Sequence, residues 1–151
     1  MVILSKKGLT LIELMVALAI MGIMTAIVYQ DYRNFLLQQR LNGAAFMVSL
    51  DLMLARAQAI SMNRAVSVTF ATSPSSQYTY DATGTPVTKN FQTGLIGYYG
   101  VTLCADRNPI FSSRGTVKNT AGTNPVTTII LRNSAGSKTL TVNIAGRITI
   151  R

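Results

Sequence analysis

The beginning of the chain is dominated by one long apolar run. Residues 9–29 read LTLIELMVALAIMGIMTAIVY, and only Thr10, Glu13, Gly22 and Thr25 interrupt the run. Twenty-one residues form a helix of about 31 Å, which matches the hydrocarbon core of a bilayer. Two lysines, Lys6 and Lys7, precede the run and are expected to stay on the cytoplasmic side. The pattern predicts a transmembrane helix over residues 9–29, with the rest of the chain on the far side of the membrane.

The helical pattern continues beyond the apolar run. No proline occurs before Pro74, and small or apolar residues recur in alternating steps of three and four, at Leu37, Leu41, Ala45, Val48, Leu52, Ala55, Ala59 and Met62. These steps place the residues on one stripe of a helix, and such a stripe usually packs on its own domain. Gly43 weakens the middle by about 1 kcal/mol relative to alanine but does not end the helix. We therefore predict one helix from about Leu9 to about Asn63, with residues 30–63 as its amphipathic continuation.

Residues 64–151 have the texture of a small β-rich head. Alternating stretches predict strands at 66–70, 77–80, 97–103, 110–111, 127–132, 139–144 and 147–151. The segment from Asp81 to Gly94 is rich in Thr, Gly and Asn and is predicted to be an exposed loop. Residues 133–137 and 145–146 are suitable hairpin connections. A helix followed by an antiparallel meander predicts an α+β fold, in which a long N-terminal helix packs on a small antiparallel sheet.

The apolar run differs from an ordinary secretory signal peptide. Its core is longer than the usual 7–15 or so residues, and no A-x-A cleavage site follows it before Gln30. The well-placed small residue is Gly8, which lies in front of the run. An uncleaved anchor helix is the simpler alternative, but it gives no reason for Glu13. A carboxylate at mid-bilayer costs about 2.5–3.5 kcal/mol, which a new α-amino group created by cleavage after Gly8 would offset; snorkelling to the headgroups is the other option.

Composition argues against an enzyme. The chain has no histidine, one cysteine (Cys104) and five carboxylates, which are not paired at close spacing. Cys104 is expected to be a small buried apolar residue rather than a nucleophile. We therefore expect no catalytic residues, no cofactor and no metal site. The formal net charge of +9 fits nucleic acid, anionic lipid or an acidic partner, and charge alone does not choose among them.

The segment from Lys6 to Leu14 resembles the class III signal of type IV prepilins and type II secretion pseudopilins. It combines a basic leader, Gly8, Leu9, the tetrapeptide Thr10-Leu11-Ile12-Glu13 and a long apolar run. The resemblance implies that residues 1–8 are a leader, which a prepilin peptidase removes before it methylates the new amine on Leu9. It also implies that Glu13, the fifth mature residue, pairs with the N-terminal amine of a neighbouring subunit and sets the assembly register. The family most often has Phe at the first mature position, where this chain has Leu9.

The C-terminal half resembles the GspH/FimT branch of minor pseudopilins and minor pilins. The matching segments are residues 111–115 (FSSRG) and 146–150 (GRITI). The resemblance implies an inner-membrane subunit with a cytoplasmic N-terminus and a periplasmic head. Its partners would be membrane lipid before assembly and other pilins or pseudopilins afterwards, and it would prime or cap a type IV pilus or a type II secretion pseudopilus. The sequence leaves open which machine it serves.

Basic residues near the C-terminus suggest an alternative function as a pilus-tip DNA receptor. Alternation in the last strand puts Arg147, Thr149 and Arg151 on one face and two isoleucines on the other, inward face. The full set of candidate DNA contacts is Arg147, Arg151, Arg132, Lys138 and Arg114. Such a patch could contact phosphates without reading sequence, whereas exposed strands also carry charge simply to stay soluble. DNA-uptake members of the family tend to end in Gly-Arg-x-Arg, and here Thr149 takes the place of the second arginine.

Overall fold

The computed structural model describes residues 10–71, 74–82, 84–93, 97–118 and 126–151, apart from the side chains of Val28 and Ala82. The chain divides into two compact units, Met1–Leu36 and Leu37–Arg151. A single helix, α1 (Leu11–Ser61), contributes to both units. Its described bounds agree with the predicted helix, whose first residue, Leu9, lies outside the described residues.

The N-terminal unit is the first half of α1. Thr10 precedes the helix, and its hydroxyl accepts a hydrogen bond of 3.3 Å from the backbone N–H of Glu13. This is the usual contact of an N-cap threonine, which satisfies one of the backbone donors left free in the first turn. Thr10 therefore has a structural role within the tetrapeptide motif, because it fixes where the helix begins.

The second half of α1 forms one wall of the head. Six positions of the predicted stripe are buried there: Leu41, Ala45, Val48, Leu52, Ala55 and Ala59. The last predicted position, Met62, follows the end of the helix and is exposed. Gly43 has a packing role, because a Cβ atom at this position would lie 2.6 Å from a ring carbon of Tyr98. The glycine that lowers helix propensity thus lets an aromatic ring approach the helix backbone.

Within the described ranges of the head, nine strands form two antiparallel sheets. The first sheet has the order β3-β2-β1-β5-β6, and the second has the order β4-β7-β8-β9. Residue bounds for the first sheet are β1 (Val66–Phe70), β2 (Gln77–Ala82), β3 (Thr85–Asn90), β5 (Ile110–Phe111) and β6 (Val117–Lys118). Those for the second are β4 (Thr102–Ala105), β7 (Thr127–Asn133), β8 (Gly136–Val142) and β9 (Ile148–Ile150). The predicted fold class, a long helix packed on an antiparallel β head, is confirmed.

The connectivity differs from the predicted single meander. The segment predicted as a loop from Asp81 to Gly94 contains β3, which pairs with β2 over six residues. This edge strand is exposed along most of its length, so its sequence lacks the apolar alternation that marks a half-buried strand. Strand β4 begins at Thr102 rather than at residue 97, and it leaves the first sheet to pair with β7. Sequence patterns indicate which residues are buried but not which strands pair. They therefore do not predict that β4 joins the second sheet.

A buried polar cluster ties α1 to the first sheet. Asp51 is 5% exposed, accepts a hydrogen bond from the hydroxyl of Tyr78 on β2, and lies 2.7 Å from the Nζ atom of Lys89 on β3. The Lys89 ammonium also lies 5.7 Å from the ring centre of Tyr80. Burial and the nearby Asp51 carboxylate both raise the pKa of Tyr78 well above its ordinary value. The Tyr78 hydroxyl and the Lys89 ammonium compensate the negative charge of Asp51, whose burial without partners would cost free energy.

The raised pKa of Tyr78 makes stability depend on alkaline pH. Unfolded Tyr78 loses its proton near pH 10 while the folded residue keeps it, so this residue's contribution is complete below pH 10 and falls above it. Stability should fall by about 1.4 kcal/mol per pH unit there because of this residue. We expect Tyr78→Phe to remove that part of the pH dependence and to cost about 1–3 kcal/mol at neutral pH. Urea unfolding between pH 8 and 11 measures both effects, and equal alkaline slopes in the two proteins would contradict the assignment.

Candidate functional site

The first candidate site is the beginning of α1. Gly8 and Leu9, the predicted processing and methylation residues, lie outside the described residues. Glu13 lies in the first turn of the helix and is exposed. Within the described part of the chain its carboxylate has no ion-pair partner. A carboxylate in the first turn interacts favourably with the helix dipole, but this interaction alone does not compensate it inside a membrane.

The helix after Glu13 is apolar on all sides. Every large apolar side chain from Leu14 to Ile27 is at least 53% exposed. The helix is long and apolar enough to cross a membrane by length and composition. A helix that is apolar all round requires a lipid environment or neighbouring protein, because exposure of its whole apolar surface to water is unfavourable in free energy.

The second candidate site is the outer face of the second sheet. Cross-strand pairing places Thr102 opposite Arg132, and Arg151 pairs with Thr139 through two hydrogen bonds of 2.9 Å. Arg132, Arg147 and Arg151 therefore share the outer face. Arg147 and Arg151 are four residues apart on one extended segment, which places them about 13 Å from each other.

The structure does not bring all five candidate DNA contacts together. Lys138 pairs with the buried Leu131, so it lies on the inner side of the second sheet. Arg114 lies outside that sheet, in the turn between β5 and β6. The prediction that both isoleucines of the last strand point into the core is also only half right. Ile148 packs partly against the core, whereas Ile150 is 40% exposed because β9 is an edge strand near the end of the chain.

Arg56 is a residue that the sequence did not single out. It lies on α1, and its Nε atom donates a hydrogen bond of 2.9 Å to the carbonyl of Gly115. Its Nη2 atom donates a second bond, of 3.3 Å, to the carbonyl of Ala145. One side chain therefore connects the helix to two loops that are 30 residues apart in sequence. In the sequence Arg56 looks like any exposed helical cation, and only the two glycine-containing loops hint at a close contact.

Both glycines beside Arg56 are required by the geometry. Gly115 and Gly146 have φ angles of +75° and +72°, in the region that glycine occupies at no steric cost. A Cβ atom on Gly146 would lie 2.3 Å from the carbonyl oxygen of Gly115 and 2.7 Å from Nε of Arg56. The two segments that carried the C-terminal resemblance, 111–115 and 146–150, thus meet at this arginine.

Cys104, Asp51 and Asp81 have structural surroundings in the described part of the chain. Cys104 is half-buried on β4 rather than fully buried as expected. Within the described ranges, no group of three or more His, Cys, Asp or Glu side chains is placed to hold a metal ion. Asp51 and Asp81 are instead each engaged in an ion pair, with Lys89 and Arg64 respectively.

Comparison with known proteins bears on both ends of the chain. Residues 3–29 match the family profile described as the prokaryotic N-terminal methylation motif. A search of curated protein sequences found no significant relative. Among solved structures, the type IV minor pilin FimU of Pseudomonas aeruginosa matches with a TM-score of 0.54 and 22% sequence identity, over 74% of this chain and 92% of the solved FimU chain.

A second crystal form of FimU gives a TM-score of 0.56 and 21% identity, over 76% of this chain and 90% of that one. The chain has a pilin-like fold. The minor pseudopilin EpsH of the type 2 secretion system of Vibrio cholerae matches with a TM-score of 0.52 and 12% identity, over 74% of this chain and 96% of EpsH. At these identities the likeness establishes the fold, and the methylation motif adds the N-terminal signature. Together they confirm the pilin-like resemblance found in the sequence.

Substitution of Gly146 in this pilin-like head should be much more damaging than substitution of an unconfined glycine. Gly146→Ala combines an unfavourable φ angle with a clash against Gly115 and Arg56, so we expect a loss of about 2–5 kcal/mol. Gly84→Ala is the matched control, because Gly84 also has a positive φ of +94° but nothing within 4 Å of its Cβ position. It should cost about 1–2 kcal/mol. Equal losses in urea unfolding would show that the contact with Arg56 is unimportant.

Proposed function

We propose that the chain is a minor pilin or minor pseudopilin subunit. In this proposal a prepilin peptidase cuts between Gly8 and Leu9 and methylates Leu9. The mature chain is then held in the inner membrane by residues 9–29, with its head in the periplasm. It leaves the membrane to enter a type IV pilus or a type II secretion pseudopilus, where it primes or caps the filament. FimU is a type IV minor pilin, and EpsH is a minor pseudopilin of a type 2 secretion system. Because their TM-scores are similar, the fold does not choose between the two machines.

The observation that carries this proposal is the exposed apolar surface of α1 within the segment that matches the methylation motif. The first half of the helix needs a bilayer at one stage and neighbouring helices at another, and a filament subunit meets both in turn. An anchor that never left the membrane would need the same apolar surface. It would not need Glu13, whose charge would remain uncompensated among lipid tails.

Glu13 is the residue we assign to the assembly register. In a filament the methylated amine of a neighbouring subunit would carry the opposite charge into the same apolar surroundings. The stability of such an ion pair depends strongly on its geometry, because burying either charge alone in apolar surroundings costs free energy. The ion pair between Glu13 and the neighbouring amine would therefore set the axial position of one subunit relative to the next. The apolar side chains would supply most of the contact area.

Replacement of Glu13 should separate processing from assembly. Mass spectrometry should find that the wild-type chain and Glu13→Val both begin with N-methylated Leu9, whereas only the wild type accumulates in sheared filaments. Asp31→Asn is the matched control, because it removes another exposed carboxylate of α1 and should assemble normally. A wild-type chain that retains Met1 or begins after residue 20 would refute the prepilin processing. Normal incorporation of Glu13→Val would refute the register role.

DNA binding is the second candidate function, favoured by the outer face of the second sheet. Arg132, Arg147 and Arg151 are exposed there among threonines, which can also donate hydrogen bonds to phosphate oxygens. The strands of this sheet, β4, β7, β8 and β9, contain no aromatic residue, so their outer face offers no platform for base stacking. Any binding would accordingly be to the phosphate backbone and would not depend on base sequence.

Charge removal on this face tests DNA binding. In gel shifts with the full chain in detergent, we expect Arg147→Ala combined with Arg151→Ala to weaken binding and to reduce the slope of log affinity against log salt by about two. Lys138→Ala is the control, since it removes the same charge from the inner side of the sheet and should leave the slope unchanged. No binding at low salt, or an equal effect of Lys138→Ala, would exclude this face as a DNA site.

A further inference from the structure

Two turns of the second sheet lie at one end of the head, beside the first turns of its part of α1. Asn133, at the end of β7, donates a hydrogen bond of 2.6 Å from its side-chain amide to the carbonyl of Leu37. Because Thr102 pairs with Arg132, the turn before β4 lies next to the turn between β7 and β8. We call this end the base of the head, and it comprises residues 37–43, 98–101 and 132–138.

A polar groove opens at the base, between α1 and the hairpin of β7 and β8. Its volume is about 260 Å³, and its polar side chains are Gln38, Asn42, Ser137 and Lys138. The ammonium of Lys138 has three N–H donors, and the hydroxyl and the two amides add further donors. Among the described residues no carboxylate forms an ion pair with Lys138. The groove is therefore positively charged and can donate hydrogen bonds to the oxygens of an anionic group.

Two exposed side chains continue this surface outside the groove. Arg132 lies on the outer face of the second sheet, opposite Ser137. Tyr99 is 54% exposed in the turn before β4. A guanidinium group forms paired hydrogen bonds with phosphate, and tyrosine rings are enriched at the level of the lipid headgroups. The base thus combines cations with an exposed aromatic ring, as protein surfaces at a lipid–water boundary do.

The chain keeps the base within reach of the membrane in the proposed function. Leu37 follows Tyr29, where the predicted transmembrane segment ends, by eight residues. Eight residues span at most about 28 Å even when they are fully extended. The other end of the head lies near Ile60, which packs beside Gly115 and is about 35 Å from Leu37 along α1. The base is therefore the end that the connection to the membrane segment always holds near the headgroups.

We propose that the base of the head binds the headgroup phosphate of an anionic phospholipid while the chain is in the membrane. Lys138 and the donors of the groove bind one phosphate, Arg132 pairs with a neighbouring headgroup, and Tyr99 lies at headgroup level. The excess of cations in residues 37–151, eleven Lys and Arg against three carboxylate side chains, favours the same surface. This inference rests on the proposed function, which supplies the membrane, and adds a lipid ligand that the head releases on entering a filament.

Fluorescence of the full chain in lipid vesicles tests the inference. The chain has no tryptophan, so Tyr99→Trp places a single indole at the base, and Met62→Trp places one after the end of α1 as the control. Each protein is reconstituted into phosphatidylcholine vesicles that contain a brominated lipid as quencher, with or without about one-third phosphatidylglycerol. We expect phosphatidylglycerol to increase the quenching at position 99 and to leave the quenching at position 62 unchanged.

Removal of one charge then tests the role of Lys138. In the Tyr99→Trp protein, Lys138→Gln should lower the ratio of bound to free head about fivefold, the factor expected for one cation at an anionic surface. Lys138→Arg should restore the ratio. Lys118→Gln is the matched control, because it removes the same charge from β6, beyond Gly115. Equal quenching at positions 99 and 62, quenching independent of phosphatidylglycerol, or equal effects of Lys138→Gln and Lys118→Gln would overturn the proposal.

Flotation of the same vesicles separates this inference from the proposed function. A chain that floats with the vesicles but shows no increase in quenching with phosphatidylglycerol refutes the lipid site alone. A chain that stays in the aqueous fraction refutes the membrane stage of the proposed function, and the lipid site with it.

Discussion

The apolar surface of the first half of α1 is the constraint on which the rest of the molecule depends. Large side chains around the whole helix are exposed from Leu14 to Ile27, and burying each of them contributes about 1.5–3 kcal/mol. That surface is stable in lipid or against other helices of the same kind. In the proposed function a filament subunit uses both environments in succession, so the same residues would first hold the chain in the membrane and later hold the filament together. In the same proposal Glu13 would add geometric specificity to a contact that is otherwise non-directional.

The head is organised around the other half of the same helix. One side of that half buries Val48, Leu52 and Ala55 against the two sheets. Polar contacts fix the sheets and loops to it at two places, through Asp51 to the hairpin of β2 and β3 and through Arg56 to the loops at Gly115 and Gly146. Hydrogen bonds of this kind are individually modest, but loss of those to Asp51 would leave a buried carboxylate unpaired. They restrict how the loops beside Arg147 can be arranged.

The sequence predicted the elements with strong periodicity and missed those defined by long-range contacts. The helix was predicted because the positions from Leu41 to Ala59 repeat at helical spacing over many turns. Strand β1 was predicted because its buried valines alternate with polar residues. The sequence does not reveal strand β3, because both faces of this strand are largely polar. It does not reveal the two-sheet arrangement either, because periodicity does not specify which strands pair. Nothing local distinguishes Arg56 from Arg40, so its role became visible only when the structure brought Gly115 and Gly146 to it. Four of the five candidate basic residues are exposed, whereas Lys138 is half-buried on the inner side because its register places it opposite Leu131.

The distribution of the chain between membrane and filament distinguishes a subunit built for assembly from a permanent membrane anchor. Filaments sheared from cells that contain the prepilin peptidase are compared with the same fraction from otherwise identical cells that lack it. We expect the full-length head in the filament fraction only when the peptidase is present, and the intact chain in the membrane when the peptidase is absent. A chain that remains in the membrane in both strains, or that is released from both, would contradict the claim that this helix is built for assembly.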